Sequence, residues 1–348
     1  MGRSLRGYYS GGGVTLPDQA LADHTAGSST AFRVQHKLHE KRKGRSMGST
    51  LSQRIIDRLD FLDGLAEKVQ PKVQEVVDKG GVTLRNALDG TWLGSPLHPV
   101  LQAVPVGSWT AAFALDAADL VSGSKAVRNA ADGALAVGVV SGFATAAVGV
   151  SDWRYLSGGS RRMGIAHGLL NTTGLALNTA SLLLRATGRR NAGRLALLAG
   201  YSLNGAGAHV GGELSYGYGL RVNRNVFEWA GPDEFTPVLK ESELPEEEMR
   251  RVEIEGDDGK VGILLSRARG GEICAISATC NHFSGPLDQG VREGDTVVCP
   301  WHKSRFDLCS GEVIDGPAVF PQSLYHTRVH DGNIEVKAAA ENVPKKVR

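Results

Sequence analysis

The alternation of apolar and polar residues changes character three times along the chain. In "LSQRIIDRLDFLDGLAEKVQ" the apolar residues Leu51, Ile55, Leu59 and Leu62 recur at helical spacing with charges between them, which predicts an amphipathic helix. "PKVQEVVDKG" predicts a second helix, started or kinked by Pro71 and ended by Gly80 and Gly81. Then come four stretches without Lys, Arg, Asp or Glu, at 90–115, 133–151, 163–184 and 195–212. Each approaches the roughly 20 residues that a bilayer-spanning helix needs. The charged connectors "DAADLVSGSKAVRNAAD", "DWRYLSGGSRR" and "RATGRRNAGR" separate them. Gly138/Gly142, Gly164/Gly168 and Gly207/Gly211 have the spacing that lets helices approach closely. Finally "RRVEIEG", "KVGILLSRA", "GEICAISA", "DTVVCP", "YHTRVHDG" and "NIEVKA" predict short strands separated by Gly/Asp turns.

These elements predict a multidomain chain: an N-terminal all-α four-helix transmembrane bundle and a C-terminal all-β domain. The expected divisions are a disordered basic arm (1–48), amphipathic helices (49–89), the membrane domain (90–219), a polar linker (220–235), the β domain (236–338) and a basic tail (339–348). The arm carries 8 Lys+Arg against 3 Asp+Glu.

Charge sharpens the division. The 348 residues have a formal net charge of +2, but 236–338 hold 11 Lys+Arg against 18 Asp+Glu, an acidic module on a basic remainder. No apolar core segment marks a secretory signal in "MGRSLRGYYSGGGVTLPDQ". A reducing compartment is therefore expected for the four cysteines, all in the acidic part.

Two of those cysteines lie beside histidines in "CNHFSGPLDQGVREGDTVVCPWH", once as Cys280-x-His282 and once as Cys299-x-x-His302. Two thiolates and two neutral imidazoles meeting at one centre can bind zinc. They can also bind a [2Fe–2S] cluster, with Cys on one iron and His on the other. Each loop supplies one ligand of each kind, whereas zinc-finger patterns pair like with like.

The segment "CPWHKSRFDLCSGEVIDGPAVFPQSLYHTRVHDGNIEV" resembles the second half of a Rieske domain. Ser304–Asp307, Gly311–Ala318, Pro321 and Asp331–Val336 match the family's successive elements. The resemblance implies one [2Fe–2S] cluster per chain, held by Cys280 and Cys299 on one iron and by His282 and His302 on an outer iron near the surface. It also implies supporting roles for Ser304, Trp301 and Pro321. Gly285 and Trp301 stand where the respiratory branch has a disulfide, and Phe306 stands where it has a tyrosine. Fewer hydrogen bonds to sulfur imply a potential low in the family's range of roughly −150 to +300 mV. Lys303 stands where glycine is usual, and Cys274 and Cys309 are expected to be free thiols.

"GTWLGSPLHPVLQAVPVGSW", "HGLLN" and "GGELSYGYG" resemble a family of predicted bacterial membrane domains of unknown function, with Ser95 in place of the first histidine of its opening. If four helices alternate in direction, His98, Asp152, His167, His209 and Glu213 all fall on one face, the face from which the β domain leaves. They are candidates for a haem, metal or quinone site, or for simple interfacial caps.

The expected function is a membrane-tethered carrier of single electrons between a donor and a membrane-associated acceptor, without a substrate-converting site of its own. A membrane oxidoreductase subunit with haem or quinone near His98, His167 and His209, or a redox sensor, are the alternatives. Expected partners are a reductase or oxygenase/oxidase component and the lipid bilayer, with no nucleic acid. The expected location is the cell membrane, multi-pass, with the β domain on the cytoplasmic face.

Overall fold

The computed structural model describes residues 50–227, 231–256 and 259–339. The basic arm, and the tail from 340 on, lie outside the described residues.

Among the described residues seven α-helices precede the β domain: α1 (Leu51–Ile56), α2 (Phe61–Lys79), α3 (Gly81–Asp89), α4 (Leu97–Ser122), α5 (Lys125–Trp153), α6 (Gly158–Ala186) and α7 (Arg190–Gly212). Thr50 starts α1 by a reciprocal capping box with Gln53. The first amphipathic pattern yields two helices rather than one, broken at 57–60, and Ile56 and Leu62 on either side of the break enter one apolar cluster. Pro71 neither starts nor ends a helix but sits within α2. Its neighbours fix α2 in place: Gln70 Nε2 donates to the carbonyls of Trp153 (3.1 Å) and Leu156 (2.9 Å), and Gln74 Nε2 donates to that of Arg154 (2.8 Å). They thereby satisfy carbonyls at and beyond the end of α5.

The four uncharged stretches become α4–α7. Of these, only α5 is both long and apolar enough to cross a membrane among the described residues. The others fall short because polar groups such as Asp116 in α4 and Asn171 and Asn178 in α6 interrupt them.

The pairs α4–α5 and α6–α7 repeat one design, which the linear reading missed. His98 near the start of α4 sets Nδ1 3.2 Å from the Thr145 carbonyl of α5, and a Cβ on Gly149, one turn later, would fall 2.7 Å from its ring. His167 near the start of α6 sets Nδ1 2.8 Å from the Gly207 carbonyl of α7, and a Cβ on Gly211 would fall 2.8 Å from its ring. Further along, Trp109 lies against Gly138 as Asn178 lies against Gly200. At the last equivalent position Asp116 of α4 pairs directly with Arg185 of α6.

The β domain holds two antiparallel sheets. The larger runs β1-β10-β9-β4-β3-β2: β1 (Thr236–Lys240), β10 (Asn333–Ala338), β9 (Leu324–His330), β4 (Ile273–Ser277), β3 (Gly259–Arg267) and β2 (Met249–Gly256). The smaller runs β5-β6-β7-β8: β5 (Val291–Glu293), β6 (Thr296–Val298), β7 (Arg305–Asp307) and β8 (Val313–Asp315). The six strands expected from alternation are β2, β3, β4, β6, β9 and β10. Buried Leu264 and Ile276 of the larger sheet pack with Val297 and Phe306 of the smaller one, and Cys280 and Cys299 belong to the same cluster.

The expected polar linker is a docking segment. Arg221 and Asn225 within it are buried. Arg221 donates to Asp152 of α5, to Asp89 of α3 (2.7 Å) and to the Pro317 carbonyl of the β domain (2.6 Å). Arg85 pairs with Asp315 at 2.7 Å, and Asn86 accepts from the Gly316 N–H at 2.9 Å. A Cβ on Gly316 would fall 2.8 Å from Thr91 Oγ1, so the absence of a side chain lets the two domains meet.

Candidate metal centre

Two loops at one end of the β domain close in the same way. In the first, the Cys280 N–H donates to the Gly285 carbonyl at 2.8 Å and the Ser284 N–H to the Cys280 carbonyl at 2.9 Å. In the second, the Cys299 N–H donates to the Ser304 carbonyl at 2.8 Å and the Lys303 N–H to the Cys299 carbonyl at 3.2 Å. Each closure needs one residue in left-handed backbone, Ser284 (φ 61°) and Lys303 (φ 65°). The glycine usual at the second position therefore has a steric reason, and Lys303 accepts about 1 kcal/mol of strain there.

The loops bring the four sequence-predicted ligands together. Cys280 and Cys299 are buried, unbridged and hydrogen-bonded to each other. That bond and burial push the Cys280 thiol well up, while Cys299, as its partner, is held down. The rings of His282 and His302 lie 5.1 Å apart. Burial holds His302 at about 4. Burial first, then His302 and the guanidinium groups of Arg221, Arg224 and Arg154, hold His282 far below the usual imidazole range.

The site fits a metal cluster. Neither ring nitrogen of His282 has a hydrogen-bond partner although both are buried, a costly arrangement unless another acceptor of the lone pair is present. A Cβ on Gly285 would fall 2.7 Å from Cys299 Sγ, so the backbone is drawn in around the sulfur.

The model of the Rieske [2Fe-2S] domain matches residues 234–336, and that of a predicted membrane protein domain (DUF2231) matches 94–224. Residues 234–336 form a Rieske [2Fe–2S] domain. Relatives include ferredoxin CarAc of Metapseudomonas resinovorans, 30% identical over 19% of this chain and 63% of that protein. Another is the ferredoxin component of the 2,4-dinitrotoluene dioxygenase system of Burkholderia sp. (strain RASC), 31% identical over 19% and 64%. The chain thus spans just under two thirds of the length of these ferredoxins. A third relative, the ferredoxin of the naphthalene 1,2-dioxygenase system of Pseudomonas aeruginosa, is 28% identical over 27% of this chain and 86% of that protein. Among solved structures, the ferredoxin of carbazole 1,9a-dioxygenase from Nocardioides aromaticivorans IC177 is 26% identical over 30% of this chain and 98% of that chain, with a TM-score of 0.27. The Rieske domain implies a [2Fe–2S] cluster, for which Cys280, Cys299, His282 and His302 are the candidate ligands.

The supporting residues sort differently. Ser304 is fully buried and accepts from the Ala318 N–H at 3.0 Å, which leaves its own O–H free to donate. Trp301 closes over Gly285. Pro321 is exposed and contributes its carbonyl, which accepts from Asn281 Nδ2 at 2.9 Å. Asn281 also donates to the Phe320 carbonyl at 2.6 Å, so it ties the first loop to the proline loop. It lies between the first two ligands and was overlooked because an amide there has no metal-ligating role.

The outer histidines of the Rieske domain are not at a free surface, contrary to expectation. The Tyr155 ring, just after α5, stands 5.6 Å from that of His282 and 5.5 Å from that of His302. Phe283 flanks both. The expectation treated the domain as if it stood alone, whereas the helical part docks on its cluster end.

The five candidates on that face fall into three sets. His98 and His167 meet, with ring centres 6.2 Å apart. Asp152 is committed to Arg221. His209 is exposed and lies 3.5 Å from Glu213, which also accepts from Ser52 Oγ at 2.5 Å.

Cys274 and Cys309 are not free thiols but a disulfide. The expectation failed because their sequence separation of 35 hides a Cα–Cα distance of 4.8 Å between β4 and the turn after β7. The bond ties the two sheets together. A structural disulfide belongs to an oxidising compartment, which weighs against the reducing compartment and the cytoplasmic face expected for this domain.

Proposed function

We propose that the chain is a membrane-tethered electron carrier, passing single electrons between a donor protein and an acceptor at the membrane by way of the Rieske pocket. The observation that carries this reading is the seat of His282 and His302 on Tyr155 of the helical part. When bound, a [2Fe–2S] cluster supplies a one-electron couple.

The chain's own residues set its surroundings. Tyr155 and Phe283 keep water from the imidazoles. Burial, then His302 and the guanidinium groups of Arg221, Arg224 and Arg154, favour the neutral form of His282, the form that ligates a metal. Ser304 offers a buried hydroxyl beside the second loop. The ferredoxin relatives, named as components of dioxygenase systems, support a reductase or oxygenase-type partner. The apolar helix α5 and exposed Val140, Phe143, Leu183 and Leu195 on the bundle support a lipid surface. Every described histidine and cysteine able to serve a redox centre lies in the Rieske domain or at the end of the bundle that meets it, so electrons run along one membrane surface.

The test is anaerobic purification of the full chain from membranes. About two irons with acid-labile sulfide per chain, and retention in the pellet after carbonate extraction, are expected. Stoichiometric zinc would overturn the cluster, and recovery in the soluble fraction would overturn the tether.

A further inference from the structure

A cavity of about 350 Å³ lies inside the helical bundle, within the range of cofactor sites. Its lining is mostly apolar and includes no carboxylate and no thiol. His98 and His167 line it from helices that the internal repeat makes equivalent.

Each imidazole is oriented by the backbone. Nδ1 of His98 faces the Thr145 carbonyl at 3.2 Å and Nδ1 of His167 faces the Gly207 carbonyl at 2.8 Å. A carbonyl can only accept, so each Nδ1 carries the proton, and the neutral form of such a ring has its lone pair at Nε2, where a metal would bind. Asn171 Nδ2 lies 3.3 and 3.4 Å from the two nitrogens of His167. Being nearly equidistant, it sits over the ring face rather than on the Nε2 lone pair, and its hydrogen bond goes to the His167 carbonyl at 2.9 Å.

The ring spacing matches a metal held between the two imidazoles, whose planes stand at 74° to each other. A metal held in line between two Nε2 atoms by bonds of about 2.0 Å puts ring centres roughly 6.3 Å apart. The observed separation is 6.2 Å. A bare divalent cation would bring uncompensated charge into an apolar space with two neutral ligands. A porphyrin brings four nitrogens, its own negative charge and an apolar body. Covalent attachment is excluded, because all four cysteines lie in the Rieske domain. A quinol ring does not fit between imidazoles this close.

We propose that the bundle holds one non-covalent, b-type haem, with His98 and His167 as its two axial ligands. The site stands independently of the cluster. Trp153 lines the cavity, and in sequence only Arg154 separates it from Tyr155, whose ring meets His282 and His302.

The test uses the full chain, purified in detergent from cells supplied with a haem precursor. Pyridine haemochrome analysis should give about one haem b per chain, six-coordinate and low-spin with a bis-imidazole EPR signature. In the His98→Ala/His167→Ala double variant bound haem should fall by about ten-fold or more. Each single variant should turn high-spin, while His209→Ala should leave the spectrum unchanged. The [2Fe–2S] EPR signal in the same samples reports that the variants have folded. Absence of haem from the wild-type chain, a wild-type spectrum without two imidazole ligands, or full retention by a folded double variant would each overturn the proposal. So would binding of a quinol analogue by a chain that takes up no haem.

Discussion

Two clusters of buried charge sit at opposite ends of the bundle, and they do different work with the same chemistry. At the far end Asp116, Asp119 and Asp132 meet Arg128, Arg185, Arg190 and Arg194. All belong to α4–α7, and the pairs relate the two halves of the repeat: Asp132 with Arg185 (2.9 Å) mirrors Asp116 with Arg194 (3.6 Å). At the near end Asp89 and Asp152 meet Arg154 and Arg221. Here Arg221 comes from outside the bundle and reaches on to the Rieske domain. The far cluster joins helix pair to helix pair. The near cluster joins domain to domain and sits against the metal pocket. Buried ion pairs contribute little net stability but are costly to break, so their value here is positional.

The largest effect should come from Arg221→Met. The cation is 5% exposed, and its removal leaves buried Asp152 with no other ion-pair partner among the described residues. Although burial disfavours the charge, Asp152 and Asp89 hold Arg221 firmly protonated, so its ion pairs in the wild-type chain do not depend on titration of the arginine. A penalty of about 3–5 kcal/mol follows. Thermal unfolding should show the two domains melting separately, and limited proteolysis should cut near residue 221. A single cooperative transition would mean that the near cluster does not couple the domains.

Next is the Cys274→Ser/Cys309→Ser pair, which touches neither cluster. Its loss should lower the stability of the Rieske domain by about 4 kcal/mol, from the chain entropy of the 35-residue loop it closes. Cluster content and docking should be unchanged. If this variant released the helical part, the disulfide rather than the charge cluster would be the tie between the domains.

Arg185→Met tests the far end. Arg185 also is buried, yet Asp116 keeps Arg190 at 3.4 Å and Arg194 at 3.6 Å, and Asp132 keeps Arg190 at 3.0 Å. Shared partners reduce the penalty to about 2 kcal/mol. The melt of the bundle should shift while the [2Fe–2S] signal stays as it was. A changed EPR line shape would contradict the division of labour between the two ends.

The two domains and the four candidate ligands are legible in the sequence for different reasons. The candidate ligands sit in short loops whose spacing survives folding, so the grouping of Cys280, His282, Cys299 and His302 is visible without coordinates. Long strands such as β3 and β9 were visible by alternation, but β5, β7 and β8, three residues each, are too short to show a period. Six of the eight charged residues that bound the uncharged stretches are members of the charge clusters: Asp89, Asp116, Asp132, Asp152, Arg185 and Arg194. They were read as bilayer limits when they are also buried partners, because pairing across the bundle leaves no mark on the linear pattern. Tyr155 was hidden for the same reason, in a connector that looked merely polar. The pairing of His98 with His167 was half legible: direction reversal put them on one face, but only packing brings them together.

The smallest effect should come from Tyr155→Phe, and it separates two roles of that residue. The hydroxyl accepts from Arg154, whose guanidinium also stacks on the ring 4.3 Å from its centre. Arg154 keeps Asp89 at 2.9 Å when the hydroxyl is lost. Burial, with Asp89 beside it, pushes the phenol well above its usual range, so the group is neutral at any working pH and its removal deletes no charge. About 1 kcal/mol of stability should go. The ring remains over His282 and His302, so reoxidation of the reduced domain by a soluble acceptor should proceed at the wild-type rate. Tyr155→Ala should instead expose both imidazoles and speed that reaction, with stability lost by the larger amount expected for an aromatic truncation, about 3 kcal/mol. Equal reoxidation rates in Ala and Phe variants would show that the ring does not cover the pocket, and the near end would then be a structural joint with no part in electron exchange.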